Sequence, residues 1–155
     1  MILSVYNSLI EIVNEEFNDI CEDAAIMFST TGRAQKVRIY LIDNTIVDIW
    51  ISRDGRYSYH WSNKGVWDYV LRHDNAPHEK WKTVSTFPKH CHDGSESNVV
   101  SSKIPDDPSG ALKYFLQRVK EKSLLYALAE ADAVSGLSSA KTGKYPVNPA
   151  RLGIA

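Results

Sequence analysis

Val37-Arg38-Ile39-Tyr40-Leu41-Ile42-Asp43-Asn44-Thr45-Ile46-Val47-Asp48-Ile49-Trp50-Ile51 is the stretch on which the fold turns. Val37, Ile39 and Leu41 alternate with Arg38 and Tyr40, and Val47, Ile49 and Ile51 alternate with Asp48 and Trp50. A period of two puts each apolar set on one face of a strand, and Asp43-Asn44 supplies turn chemistry between them, so the stretch predicts a hairpin. Working outward, Asp54-Gly55 is a turn into a strand from Tyr57 to Trp61, and Asn63 to Gly65 is a turn into another from about Trp67 to Arg72. Four short strands joined by tight turns make an antiparallel meander. Pairing Trp61 with Trp67 places Tyr59 opposite Tyr69 and Tyr57 opposite Leu71 on an aromatic face, and puts His60 and Arg72 together on the other.

Before the meander, Ile2, Val5, Leu9, Ile12, Val13, Phe17, Ile20, Ala24 and Met27 recur at three and four. That spacing predicts one long amphipathic helix, punctuated by Thr30, Thr31 and Gly32. After His73 the periodicity weakens, although Thr83 to Phe87 and Asn98 to Ser101 have the composition of short strands. Asp107 ahead of Pro108 is a helix start, with Leu112, Phe115, Leu116 and Val119 on one face and continuation as far as Asp132. The expected architecture is α+β: an antiparallel meander of four or more strands packed on an N-terminal and a C-terminal helix. Residues 1–130 form a single domain in this reading, and 131–155, with Gly136, Gly143, Pro146 and Pro149, a flexible tail.

The chain has 155 residues, 24% of them charged, with 18 basic and 19 acidic side chains. A chain of that size buries enough surface to fold without disulfides or a structural metal. No run approaches the roughly 20 apolar residues that span a bilayer, and no basic and apolar leader opens the chain. Cys21 and Cys91 stand far apart, outside any Cys-x-x-Cys spacing. Together these predict a cytoplasmic protein with no membrane contact. The first 30 positions hold Glu11, Glu15, Glu16, Asp19, Glu22 and Asp23 and no Lys or Arg, so the remainder is net basic and suited to a polyanion.

All five histidines, His60, His73, His78, His90 and His92, fall between positions 60 and 92. Imidazole exchanges protons near neutral pH and binds transition metals, so the cluster points to acid–base chemistry or to a metal. On a strand, His90 and His92 share a face while Cys91 points away. No four-ligand zinc framework accompanies them, and the expectation is a site with no metal and no cofactor. In Arg72-His73-Asp74-Asn75-Ala76-Pro77-His78, Asp74-Asn75 reads as a turn, with Asp74 a turn former or a carboxylate orienting a histidine. The Arg72 guanidinium beside imidazoles suits phosphate binding and charge stabilisation during phosphoryl transfer. Most of the aromatic residues belong to the core, with Trp50 and Trp81 the exceptions available to a base.

Three blocks carry a resemblance: Gly55-Arg56-Tyr57-Ser58-Tyr59-His60-Trp61; Arg72 with Asp74-Asn75-Ala76-Pro77-His78; and Thr86-Phe87-Pro88-Lys89-His90-Cys91-His92. In their order and spacing, over about residues 36–120, the chain resembles the TumE family of presumed toxins from prokaryotic toxin–antitoxin pairs. Position 73, usually aromatic there, is His, and position 89, often His, is Lys. The resemblance implies a growth inhibitor neutralised by a helix-turn-helix antitoxin encoded nearby. From the residues themselves, the expected activity is metal-independent cleavage of RNA. His78, His90, His92 and Arg72 would be catalytic, with His60, Lys89 and Trp81 binding substrate. A non-catalytic module binding nucleic acid or protein, or a His-based metal site, is the alternative.

Overall fold

The computed structural model describes residues 1–63 and 65–136. Helix α1 (Ile2–Glu16) leads into seven strands: β1 (Cys21–Phe28), β2 (Ala34–Leu41), β3 (Ile46–Ile51), β4 (Tyr57–Ser62), β5 (Val70–Asp74), β6 (His90–Gly94) and β7 (Val99–Ser101). A 3-10 turn, Glu79–Trp81, lies between β5 and β6, and helix α2 (Pro108–Gly136) follows β7. The strands form one antiparallel sheet in chain order, each paired with its sequence neighbours. The chain is therefore α+β, with a meander and two helices, as the sequence pattern requires.

Both helices lie on one face of the sheet. Tyr6, Leu9 and Val13 of α1 and Leu112, Phe115, Leu116 and Val119 of α2 close over Val37, Ile39, Val47, Ile49, Tyr59, Trp61 and Leu71, all at most 1% exposed. Burying each such side chain contributes about 1.5–3 kcal/mol. Polar groups carried into this layer are paired: the Tyr6 hydroxyl donates to the Gln35 carbonyl (2.9 Å) and accepts from Ile51 N–H (3.1 Å), and Trp61 Nε1 donates to Thr45 Oγ1 (2.8 Å). Asp107 caps α2 by accepting from Gly110 N–H at 2.7 Å.

Three expectations are corrected. The N-terminal helix ends at Glu16, not near Met27, and residues Cys21–Phe28 form an edge strand on β2. Phe17 closes a turn by accepting from Ile20 and Cys21 N–H, and β1 carries register shifts between Cys21 and Asp23 and between Met27 and Phe28. These irregularities erase the period of two that would betray a strand. Gly32 adopts φ +76°, but in the β1–β2 turn and not in a helix cap. Second, Trp61 faces Leu71, not Trp67, because Asn63 closes a longer loop: its carbonyl accepts from Val66 and Trp67 N–H and its Oδ1 from Tyr69 N–H. A shift of an even number of residues preserves the faces, so His60 and Arg72 remain together and pair directly. Third, 83–87 is a series of turns, not a strand. The expected tail divides: residues 131–136 continue α2, and 137–155 lie outside the described residues.

Candidate functional site

The sheet face away from the helices carries the polar residues, arranged by register in two rows. Asp48, His60, Arg72 and His92 stand side by side across β3 to β6, and Trp50, Ser58, Asp74 and His90 form the adjacent row. The segment between β5 and β6 folds back over the second row. Trp81, on the 3-10 turn, packs edge-on against His92 and tilted against His90, with centroids 5.8 and 6.1 Å apart. Between this segment and the sheet lies a cleft of about 420 Å³ lined by Trp50, Arg72, Asp74, His78, Trp81, His90, His92 and Glu96 among others.

Asp74 organises the deep end. Its Oδ1 accepts from Ala76 N–H at 3.0 Å, the turn expected of this residue, and lies 3.1 Å from His90 Nε2; its Oδ2 accepts from Arg72 Nε at 3.2 Å. Each histidine is oriented from behind by a backbone carbonyl. His90 Nδ1 donates to Pro88 O at 2.8 Å and His92 Nδ1 to Glu96 O at 2.9 Å, which assigns Nδ1–H tautomers and turns both Nε2 atoms inward. His92 Nε2 then accepts from Arg72 Nη2 at 2.9 Å. Among the described residues, His90 Nε2 has no aligned hydrogen-bond partner, since Asp74 sits near it but off the line of the ring nitrogen. Burial, with Arg72 adding to it, holds His92 below the ordinary histidine range, so it is neutral at neutral pH. His60 is lowered for the same two reasons.

Of the residues singled out by sequence, Arg72, His78, Trp81, His90 and His92 line the cleft. His78 is exposed at its mouth, whereas His90 and His92 are buried beneath Trp81. His60 is the cross-strand neighbour of Arg72 and lies outside the lining. Lys89 also lies outside it, its ammonium tied to Ile104 O and Asp106 at 2.7 Å each. His73 and Cys91 belong to the opposite face: His73 bonds Ser102 Oγ at 2.7 Å between Tyr114 and Phe115, and burial lowers it to about 4. Burial pushes the Cys91 thiol up to about 12, which removes it from thiolate chemistry. Glu96 and Ser58 were not singled out by the sequence patterns. The turn glycine Gly94 was the one available indication that the loop after His92 folds back toward it.

Asp74, His90 and His92 offer ligand atoms within 4.8 Å of one another, a set that could hold a divalent ion. The position beside His92 Nε2 is taken by a guanidinium, so the positive charge these groups already balance is that of Arg72.

Among the described residues, no helix is long and apolar enough to cross a membrane. A family model described as toxin TumE matches residues 10–123, extending the likeness toward the N-terminus to take in part of α1 and all of β1. No curated relative and no solved structure matches the chain. With the match running through all seven strands and most of the cleft-bearing core, the chain belongs to the TumE family, the toxin half of a toxin–antitoxin pair whose antitoxin is its natural partner.

Proposed function

We propose that this toxin cleaves RNA at the cleft by general acid–base catalysis without a metal ion. The observation that carries the reading is the contact between Arg72 Nη2 and a neutral His92 Nε2 inside a cleft flanked by two indoles. Once Arg72 turns its Nη2 to the substrate phosphate, the inward lone pair of the neutral imidazole is free to take the proton of a ribose 2′-hydroxyl, and the guanidinium can stabilise the charge of the phosphorane. His78, exposed at the mouth, is positioned to protonate the leaving 5′ oxygen. Asp74, fixed by Ala76 N–H, is the carboxylate that holds Arg72, with His90 packed beside it. Trp50 and Trp81 provide stacking surfaces for unpaired bases. A helix-turn-helix antitoxin would neutralise the activity in the cytoplasm.

A second reading has one observation in its favour: the unpartnered Nε2 of His90 beside Asp74 and His92 suits a divalent ion as the missing partner. Cleavage of single-stranded RNA in excess chelator separates the two. We expect chelator-resistant cleavage with a bell-shaped pH profile whose acid limb lies below pH 6.5, because the His92 base is lowered from that value. Loss of cleavage in chelator with recovery on adding zinc, nickel or manganese would establish the metal reading. If induced cells arrest while 5′-end mapping finds no new RNA ends, the ribonuclease reading is wrong.

A further inference from the structure

Glu96 stands in the turn between β6 and β7, which is shaped by Gly94 at φ +95° and by Asn98 Nδ2 donating to Asp93 O at 2.7 Å. Its side chain is 61% exposed, yet it reaches back into the lining of the cleft. Arg72 Nη1 donates to Oε1 at 3.1 Å, and Arg72 Nη2 lies 2.9 Å from Oε2. This is a two-pronged fork, the arrangement in which a guanidinium also holds two oxygens of a phosphate. The backbone of Glu96 has a separate task, accepting His92 Nδ1–H, which a change of side chain leaves in place.

The two carboxylates on Arg72 are not equivalent. Asp74 is largely buried and fixed by Ala76 N–H, so it cannot withdraw. Among the described residues, the Glu96 side chain is anchored only through Arg72; its other near neighbour, His92 Nδ1 at 3.6 Å, has already given its hydrogen to the Glu96 carbonyl. An exposed ion pair of this kind exchanges readily, because water compensates most of what is lost.

We propose that Glu96 occupies the seat of the substrate phosphate and leaves it when an RNA phosphodiester binds, so that its carboxylate sets the anion affinity of the cleft. The inference rests on the reading of the cleft as a phosphodiester site and adds the kind of phosphate it takes. A diester carries one negative charge, as the departing carboxylate does, and the exchange leaves the charge around Arg72 unchanged. A terminal phosphate monoester near neutral pH carries closer to two, against the fixed charge of Asp74. The seat therefore selects internal linkages over chain ends.

The test is calorimetric titration with a deoxy dinucleoside monophosphate, one phosphodiester with no 2′-hydroxyl to react. Glu96→Gln should bind it about three- to tenfold more tightly than the unmodified protein, the gain expected when one exposed competing charge is removed. Glu79→Gln, which removes a still more exposed carboxylate of the nearby 3-10 turn, paired with Lys82, should change nothing. Arg72→Ala should abolish binding. Equal or weaker binding by Glu96→Gln, or equal tightening by Glu79→Gln, overturns the proposal. RNA cleavage is scored separately. Tightening without cleavage keeps the Glu96 seat and removes the ribonuclease reading, cleavage with unchanged or undetectable affinity does the reverse, and the absence of both binding and cleavage removes both.

Discussion

His73 and His90 are carried by adjacent strands and are hidden to the same degree, 2% and 0% exposed, yet they lie on opposite faces of the sheet. On the covered face, His73 meets a serine hydroxyl and two aromatic rings, and burial lowers it to about 4, so it is uncharged at neutral pH. On the open face, His90 meets Asp74 and, through it, Arg72 and a cleft leading to solvent. Burial alone does not mark a functional histidine. What distinguishes the two is whether the ring nitrogen turned inward finds a satisfied neutral partner or a set of charged groups with access to a ligand.

The comparison breaks most readily through activity. Arg72→Ala and His92→Ala should each lower RNA cleavage by roughly two to four orders of magnitude and relieve growth arrest in chains that remain folded, whereas His73→Ala should keep its rate per folded molecule. If His73→Ala is silenced while fully folded, the two faces are not functionally distinct. In stability the order reverses. His73→Ala leaves a cavity against Phe115 and strips the buried Ser102 hydroxyl of a partner, at a cost of about 2–4 kcal/mol by chemical denaturation.

The pH dependence sharpens the same contrast. Because His73 is lowered from its ordinary 6.5 to about 4, the unfolded chain takes its proton before the folded one does. Its contribution is present in full above pH 6.5 and is lost as pH falls through the window down to about 4, on the order of 3 kcal/mol in all. His73→Leu, which binds no proton, should flatten that window; an unchanged slope in the variant would mean another group is responsible. The smallest effect belongs to Trp50, 43% exposed at the edge of the cleft. Trp50→Ala should raise KM by roughly fivefold, about 1 kcal/mol of stacking, with kcat and stability unchanged. A fall in kcat instead would place Trp50 in the chemistry.

The parts of this molecule legible in its sequence are those governed by local pattern. The alternation of Val37 to Ile51 predicts β2 and β3, and parity alone brings His60 and Arg72 to one face even though the pairing assumed was displaced along the strand. Edge strand β1 escaped because its bulges destroy the alternation, and its Ala24 and Met27, with Ile20 just before it, also satisfy a helical spacing. The separation of His73 from His90 and His92 follows from the pleat. What lies beyond the pleat is the path of the segment 75–89, which carries no period, and with it the burial of both cleft-face histidines under Trp81. Glu96 was missed for a related reason. Its position depends on how a short turn returns over the sheet, and no residue spacing encodes its distance to Arg72.

The sheet is strung in strict chain order, β1 to β7, and this has a consequence for synthesis. Every strand pairs with one made just before it, so the loops to be closed are short and the entropic barrier to zipping the sheet is low. The groups around Arg72 are all present once β6 and its turn have left the ribosome, before α2 has emerged from it. Until α2 arrives with Leu112, Phe115, Leu116 and Val119, however, the other side of the sheet is an uncovered apolar surface. The nascent chain thus passes through an interval in which its chemistry is assembled and its hydrophobic layer is bare, and it is then that a folding chain is most exposed to capture or aggregation.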